Sequence, residues 1–317
     1  MKDIIINNKK VSKISLGTVQ LGLNYGIANN EGKPSLEKSF GILDKALSGG
    51  ITAIDTARGY GNSEEVIGKY LKQTKHNVPF ITTKYKCSVD ENADYNAVEK
   101  DVFNSVETSL NMLGVEKIDC LLLHNAFYKG VYQGKNISKA FEKLIAKGIV
   151  GITGLSMARF TEEIDDMLNY DVFTATQVPM NVFDIRLIKN GLYEKMLNKR
   201  IKIFVRSVFF QGLFFLKPEK IENEGLKKLV AENIYQLQEI ARTEKMSIAQ
   251  LAISFIRDLD GVASLVLGAD NENQVMENLS YINSPSISIE SRNRLHKIAE
   301  NIKIIEIMQE LAKPKNK

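Results

Sequence analysis

The sequence predicts a (β/α)8 barrel, in which eight parallel strands alternate with helices and close into a cylinder. Short apolar runs alternate with amphipathic segments along the chain, and this alternation favours a parallel sheet. Several apolar runs end in a polar residue, among them Asp55, Lys84 and His124. Polar residues at the carboxyl ends of successive strands are typical of a barrel whose βα loops build a site. The sequence is therefore expected to encode an enzyme.

The expected elements follow one another in a regular order. The strands are expected at residues 14–18, 51–55, 80–84, 118–124, 150–154, 175–178, 201–205 and 263–267. The helices are expected at 36–47, about 63–72, about 95–113, about 138–147, from about 248, after Asn271 and over about 288–311.

The starts and ends of several helices have clear sequence signals. Leu36, Phe40, Leu43 and Leu47 are spaced to lie on one helical face, and Gly49 follows as a stop signal. The segment 95–113 has the same apolar periodicity and ends at Gly114. Ser247 and Gln250 lie three residues apart, as in a capping box.

An open, doubly wound sheet is the competing architecture. Eight strands favour closure into a barrel, and no GxGxxG motif follows the first strand. The chain has no linker-like stretch and no low-complexity segment. Residues 1–317 are therefore predicted to form a single domain.

Composition excludes several classes of protein. The 42 basic and 38 acidic residues are interleaved, which is not the pattern of a nucleic-acid-binding protein. No apolar run approaches the roughly 18 residues of a membrane span, and the start of the chain does not resemble a signal peptide. Two cysteines, Cys87 and Cys120, imply no disulfide framework. We expect a cytoplasmic location, no metal site, and neither a nucleic-acid nor a membrane partner.

Four residues on the second to fourth strands and their loops form a candidate catalytic group. Asp55, Lys84 and His124 end three consecutive strands. Neighbouring strands lie about 4.8 Å apart, so these side chains should face one small volume. Tyr60 follows Asp55 by five residues, in the loop after the second strand.

Reduction of a carbonyl group by a hydride donor would use these residue types together. Negative charge develops on the oxygen, so the site needs a proton donor and hydrogen bonds. Tyr60 is the candidate acid. The Lys84 ammonium would favour the phenolate, Asp55 would keep Lys84 charged, and a neutral His124 would orient the carbonyl. Taken singly, each of the four has an ordinary structural explanation.

The segment Ile54–Glu64, with sequence IDTARGYGNSE, resembles the signature of the aldo-keto reductase superfamily, as do Lys84, Leu122-Leu123-His124 and Gly154-Leu155-Ser156. The resemblance extends from about Ile14 to Leu279. It implies a (β/α)8 barrel that binds NADPH or NADH in an extended form. It also implies that the catalytic tetrad consists of Asp55, Tyr60, Lys84 and His124.

The same resemblance implies a set of cofactor-binding residues. Two match residues that hold the nicotinamide carboxamide, five belong to a loop that covers the pyrophosphate, and the rest lie towards the adenosine end. The set is Ser156, Gln177, Arg206, Ser207, Phe209, Gln211, Gly212, Gly268, Asp270, Gln274 and Asn278.

Three positions depart from the family pattern. Met157 replaces an Asn that is frequent there, and Arg206 replaces an aromatic stacking residue. A guanidinium can lie flat on a ring, but its charge disfavours the cationic oxidised nicotinamide. Residues 267–274 contain no Lys or Arg for the 2′-phosphate of NADPH. Asp270 would repel that phosphate or accept a hydrogen bond from a free ribose hydroxyl, so the choice of cofactor stays open.

Two functions fit these observations. One is reduction of an aldehyde, ketone or sugar-like carbonyl compound, and the other is a cofactor-binding regulatory or interaction module like the channel-associated branch of the superfamily. Residues 24–29 and the Arg206 loop resemble reductases of sugar and surface-polysaccharide pathways. Glu64 and Glu65 are expected only to complement a helix N-terminus.

Overall fold

A computed structural model of the chain describes residues 3–27, 29, 32–124, 133–158 and 161–313. An antiparallel hairpin comes first, formed by β1 (Ile4–Ile6) and β2 (Lys9–Val11). The barrel strands are β3 (Ile14–Gly17), β4 (Ala53–Asp55), β5 (Phe80–Tyr85), β6 (Ile118–His124), β7 (Val150–Ser156), β8 (Phe173–Pro179), β9 (Lys202–Arg206) and β10 (Val262–Gly268).

The eight strands β3 to β10 are parallel and close into a barrel, because β10 pairs with both β9 and β3. This confirms the predicted (β/α)8 barrel. The predicted strand ends differ from the observed ones by at most two residues.

Helices surround the barrel in the order that the sequence predicts. They are α1 (Val19–Gly22), α2 (Leu36–Ser48), α3 (Ser63–Leu71), α4 (Tyr95–Leu113), α5 (Gly134–Ala146), α6 (Glu162–Met167), α7 (Arg186–Lys189), α8 (Leu192–Asn198), α9 (Glu224–Thr243), α10 (Ile248–Arg257), α11 (Glu272–Tyr281), α12 (Ile289–Asn301) and α13 (Ile304–Leu311). No helix of the described residues is long and apolar enough to cross a membrane.

Helix caps confirm the signals read from the sequence. The Ser247 side chain and Gln250 form both hydrogen bonds of a capping box at the start of α10. The Asn271 side chain accepts a hydrogen bond from the backbone N–H of Gln274 at the start of α11. Helix α4 ends at Gly114, whose φ of 65° is a left-handed conformation that favours glycine.

The hairpin closes the amino-terminal end of the barrel with apolar side chains. Ile6 and Val11 pack in one buried cluster with inward residues of the strands, including Phe80, Cys120 and Phe204. The rings of Phe80 and Phe204 stack at a centroid distance of 6.4 Å. Apolar side chains therefore fill the lower barrel, and buried charges occur at the carboxyl ends of β4 and β5.

Some elements differ from the prediction. Helix α5 begins four residues earlier than expected. The hairpin, the short helices α1, α6, α7 and α8, and the 20-residue helix α9 were not predicted. The final helix, expected as one segment over 288–311, is two helices. If one helix continued past Ile298, residue 305 would lie on the same buried face two turns later. Instead Ile305 is 41% exposed, and Ile304 and Ile307 are buried. The extended backbone of Ile302 ends α12, so α13 begins with a different set of residues on its buried face. No Gly or Pro in the sequence marks this break.

Candidate active site

A buried ion pair joins the ends of β4 and β5. The Lys84 ammonium donates hydrogen bonds to both carboxylate oxygens of Asp55, at 2.7 and 2.8 Å, and to the Thr56 carbonyl at 2.7 Å. Burial alone lowers the pKa of Lys84, but the Asp55 carboxylate and the Tyr60 phenol outweigh it and raise that pKa above its usual range. Lys84 is therefore a cation held inside the barrel.

The amide of Gln177 extends this ion pair across the barrel. Its Nε2 donates to Asp55 Oδ1 at 2.7 Å, and Ser156 Oγ donates to Gln177 Oε1 at 3.5 Å. The two residues are opposite each other in the register of β7 and β8, and both are buried. The structure thus brings both expected carboxamide-binding residues against the ion pair.

Tyr60 lies over the ion pair, in the loop between β4 and α3. Its ring centroid is 4.8 Å from Lys84 Nζ. The ring of His124 is 6.0 Å away and nearly perpendicular, with an interplanar angle of 85°. The structure therefore brings together Asp55, Tyr60, Lys84 and His124, as the sequence predicts for a catalytic group.

Two glycines allow the Tyr60 loop to lie directly on α1. A Cβ at Gly22 would lie 1.7 Å from the carbonyl oxygen of Tyr60. Gly61 has a φ of +57°, and a Cβ there would lie 2.4 Å from the carbonyl oxygen of Gly22. Any side chain at either position would push the Tyr60 loop away from the barrel.

Buried hydroxyl groups fasten the same loop. Ser63 Oγ donates towards Thr18, with Oγ1 at 2.8 Å and the carbonyl oxygen at 3.0 Å, and Thr56 Oγ1 donates to Ser63 Oγ at 3.1 Å. Thr18 follows β3, Thr56 follows β4 and Ser63 begins α3. The loop that carries Tyr60 is thus bonded at both ends.

Glu64 has a role that the sequence interpretation missed. Its carboxylate accepts hydrogen bonds from Thr83 Oγ1 at 2.6 Å and from Arg58 Nη1 at 2.9 Å, and the residue is buried. Thr83 immediately precedes Lys84, so Glu64 links the Tyr60 loop to β5. The expected role as a simple helix N-terminal charge fits its neighbour Glu65, which pairs with Lys69 at the surface. Glu64 is buried and Glu65 is at the surface, and the sequence pattern did not reveal this difference.

His124 is neutral in this environment. Burial lowers its pKa to about 3, and the charges of Lys84, Arg206 and Lys86 contribute to the shift. A neutral imidazole has one N–H donor and one acceptor nitrogen. His124 can therefore donate a hydrogen bond to a carbonyl oxygen without carrying a charge.

A cavity of about 600 Å³ opens beside Asp55 and Tyr60, within the range of small-molecule and cofactor sites. Two of the expected cofactor-binding residues, Ser156 and Gln177, lie behind the ion pair instead. The other expected residues all line the cavity, namely Arg206, Ser207, Phe209, Gln211, Gly212, Gly268, Asp270, Gln274 and Asn278.

The loop after β9 has an unusual backbone. Ser207, Phe210 and Gln211 have φ values of 60°, 47° and 58°, which are uncommon for residues with a side chain. The Gln211 carbonyl accepts a hydrogen bond from the Ile27 N–H at 3.1 Å, so the loops after β3 and β9 meet across the cavity. Such backbone conformations persist where surrounding contacts fix them, often at functional sites.

The cavity also contains residues that the sequence interpretation did not select. Gln20 Oε1 is buried and has no hydrogen-bond partner among the described residues. The Gln20 amide packs on Gly268, where a Cβ would lie 2.2 Å from Gln20 Nε2. An unpartnered acceptor fits a ligand hydroxyl such as that of a ribose, so the residues present fit a nicotinamide dinucleotide. Nothing in the sequence separates Gln20 from an ordinary loop glutamine.

Comparison with known proteins is consistent with this geometry. The model of the Aldo/keto reductase family matches residues 13–300. The chain belongs to this family. It is therefore an NAD(P)H-dependent oxidoreductase.

Individual relatives are distant but cover most of the chain. The L-glyceraldehyde 3-phosphate reductase of Escherichia coli K12 is 24% identical over 87% of both proteins. The NADH-specific methylglyoxal reductase of the same organism is 24% identical over 86% of this chain and 90% of its own length. The holo form of aldo-keto reductase AKR11C1 from Bacillus halodurans superposes with a TM-score of 0.76 at 22% identity, covering 94% of this chain and 96% of its own. That likeness supports the fold.

Replacing Lys84 with Met should destabilise the protein and impair catalysis. The change leaves Asp55 without its ammonium partner, and breaking a buried ion pair costs about 3–5 kcal/mol. It also removes the cation that lies 4.8 Å from the centroid of the Tyr60 ring. Urea unfolding and turnover with a carbonyl substrate measure both effects. Lys195→Met is the matched control, because its exposed pair with Asp165 should contribute less than about 1 kcal/mol. Equal destabilisation of both variants would contradict the prediction that the buried Lys84–Asp55 pair contributes more to stability than the exposed Lys195–Asp165 pair.

The lowered pKa of His124 predicts a dependence of stability on pH. An unfolded histidine takes up a proton below about pH 6.5, whereas folded His124 does so only near pH 3. Between these values the unfolded state binds more protons, so the free energy of unfolding should fall as the pH decreases, by up to about 1.4 kcal/mol per pH unit from this group.

Urea unfolding of the parent protein and His124→Gln at pH 7.5, 6, 5 and 4 measures this dependence. The variant lacks the titrating group, so the stability difference between the two proteins should change below pH 6.5 and stay constant above it. A difference that stays constant down to pH 4 would show that His124 titrates normally in the folded protein.

Proposed function

We propose that this aldo-keto reductase reduces aldehydes or ketones, with Tyr60 as the proton donor. The observation that supports this most directly is the contact of Tyr60 with the buried Lys84–Asp55 pair beside a neutral His124. When bound, the reduced nicotinamide supplies the hydride. The four side chains supply the proton and the hydrogen bonds that the new alkoxide requires.

Each residue of the group has a separate role in this proposal. The Tyr60 hydroxyl donates its proton to the carbonyl oxygen as negative charge develops there. Lys84 stabilises the resulting phenolate, and Asp55 keeps the Lys84 ammonium charged although it is buried. The neutral imidazole of His124 donates a second hydrogen bond to the same oxygen and fixes its orientation.

The proposed cofactor site occupies the cavity beside this group. Ser156 and Gln177 lie beside the ion pair and outside the cavity wall, so the carboxamide must reach past the cavity to contact them. The loop of Arg206, Ser207, Phe209, Gln211 and Gly212 is proposed to cover the pyrophosphate. Gly268, Asp270, Gln274 and Asn278 lie at the adenosine end. The Gln20 acceptor, buried and without a partner among the described residues, is available for a ribose hydroxyl.

The substrates proposed are small carbonyl compounds. Two relatives are named for reduction of L-glyceraldehyde 3-phosphate and of methylglyoxal, and this supports the proposal for the present chain. The sugar-like substrates expected from the sequence belong to the same chemical class.

Cofactor choice is proposed to depend on Asp270. Among the described residues that line the cavity, Arg206 is the only cationic one. It is the last residue of β9, away from the adenosine end. Asp270 Oδ1 accepts a hydrogen bond from Asn29 Nδ2 at 3.2 Å, and the Asp270 N–H donates to Gln274 Oε1. A carboxylate at this position penalises a 2′-phosphate, so discrimination between NADPH and NADH should be weak.

Replacing Tyr60 with Phe should lower hydride transfer by at least the roughly 10²–10⁴-fold of general-acid catalysis. Cofactor affinity should barely change, because the ring and its packing remain. Single-turnover oxidation of NADH and NADPH with a carbonyl panel measures the effect. Tyr25→Phe removes another tyrosine hydroxyl that lines the cavity. A loss confined to that variant would assign the proton to Tyr25. If the parent protein binds cofactor but reduces no carbonyl, the interaction-module alternative is favoured.

Replacing Asp270 with Arg should create a preference for NADPH, since arginine pairs with phosphate through two parallel hydrogen bonds. The dissociation constants of NADPH and NADH, measured for the parent and the variant, give the change in preference. Asp171→Arg makes the same change of charge at an exposed position outside the cavity, and should leave the ratio unaltered. Should the parent bind NADPH a hundredfold more tightly than NADH, an unassigned basic residue must reach the phosphate.

A further inference from the structure

Arg206 is a half-buried cation in the wall of the cavity, at the end of β9. Its Nη2 donates to the Met157 carbonyl at 2.7 Å, and its Nη1 donates to Ser207 Oγ at 3.0 Å. Both acceptors are neutral. No carboxylate of the described residues forms an ion pair with Arg206, and the nearby Asp55 is already bonded to Lys84 and Gln177.

These contacts orient the guanidinium without neutralising it. A guanidinium has five N–H donors, and the two hydrogen bonds to Met157 and Ser207 leave three donors for other partners. A cation removed from water is costly unless it is paired. The arrangement therefore fits an anion that enters the cavity from solution.

The position of Arg206 indicates which molecule brings that anion. The guanidinium is fixed beside Met157, which directly follows Ser156 at the mouth of the barrel. His124 and Ser156 are paired in the register of β6 and β7, so this cation lies at the same end of the barrel as His124, and its charge acts on the imidazole. The exposed Lys86 lies on the same side. The acidic residues Asp270 and Glu277 instead line the part of the cavity outside the barrel.

We propose that Arg206, although it belongs to the loop expected over the cofactor pyrophosphate, binds an anionic group of the substrate, so that the preferred substrates are carbonyl compounds carrying a carboxylate or a phosphate. This inference rests on the proposed reductase function. Arginine binds both groups through paired hydrogen bonds, and both would give the half-buried guanidinium its counter-charge.

Matched pairs of substrates test the proposal. 4-Carboxybenzaldehyde is compared with its neutral analogue 4-formylbenzamide, and glyceraldehyde 3-phosphate with glyceraldehyde. We expect the parent protein to have a higher kcat/KM for the anionic member of at least one pair. The pair with the larger preference tells whether the carboxylate or the phosphate is favoured.

Arg206→Met and Arg206→Lys separate charge from shape. In Arg206→Met the ratio of kcat/KM for the anionic and neutral members should fall by about 10- to 100-fold, the range for a hydrogen bond to a charged group. The loss should lie mainly in KM. Arg206→Lys, which keeps the charge, should recover part of the ratio.

Arg200→Met is the matched control. Arg200 is an exposed residue two positions before β9, at the opposite end of that strand from Arg206. Its replacement by Met therefore removes an equal charge far from the cavity. The ratio should not change in this variant. The dissociation constants of NADH and NADPH for Arg206→Met then show whether the guanidinium binds the cofactor instead.

Three results would overturn the inference. The first is that Arg206→Met loses kcat/KM equally for anionic and neutral substrates. The second is that Arg206→Met binds NADH and NADPH more weakly but keeps the ratio of kcat/KM for the anionic and neutral members. The third is that the parent protein reduces neutral aldehydes as efficiently as their anionic counterparts. This third result would leave the proposed reductase function intact. If no carbonyl compound is reduced, the proposed function fails. Calorimetric binding of 4-carboxybenzyl alcohol and of 4-(hydroxymethyl)benzamide to the NAD+-loaded parent and Arg206→Met then decides the role of Arg206 without turnover.

Discussion

The buried ion pair of Asp55 and Lys84 is the constraint on which the rest of this site depends. An ammonium inside a barrel remains charged only if its acceptors are fixed, and here both carboxylate oxygens and the Thr56 carbonyl are within 2.8 Å. Removing one partner of such a pair leaves an uncompensated charge. Tyr60 lies over the ammonium and Gln177 bonds to the carboxylate, so the residue predicted as the acid and a residue predicted to bind the cofactor contact the same ion pair.

The barrel separates stability from chemistry along its axis. The hairpin and the lower strand residues fill the amino-terminal end with apolar side chains, including Ile6, Phe80 and Phe204. The carboxyl ends of β4 and β5 carry the buried Asp55–Lys84 pair, and the loops beyond them are tied by Ser63 and Glu64. The buried Asp119, near the start of β6, instead pairs with Lys9 of the hairpin. The rigid lower half therefore supports a site whose groups are fixed by hydrogen bonds, as expected for a barrel enzyme.

Charge is distributed unevenly around the cavity. Lys84 is neutralised by Asp55. Burial, and to a smaller extent the neighbouring cations, lowers the pKa of His124 to about 3. Arg206 is thus the cation left at the reacting end among the described residues that line the cavity, whereas Asp270 and Glu277 line the outer part. The two substitutions that depart from the family pattern, Met157 and Arg206, are in direct contact. The backbone carbonyl of Met157 orients the guanidinium, and the Met157 side chain itself has no structural explanation in this contact.

The sequence by itself determined the barrel, its strand ends to within two residues, and the proximity of the four residues predicted for catalysis. Strand periodicity, capping signals such as Ser247 with Gln250, and the spacing of Asp55, Tyr60, Lys84 and His124 are local patterns, and the parallel barrel converts them into proximity. Only the tertiary structure decided the burial of Glu64, the break at Ile302, the unpartnered Gln20 acceptor and the contact of Arg206 with Met157. These depend on which distant segments pack together, and packing partners leave no trace in the local spacing of residues.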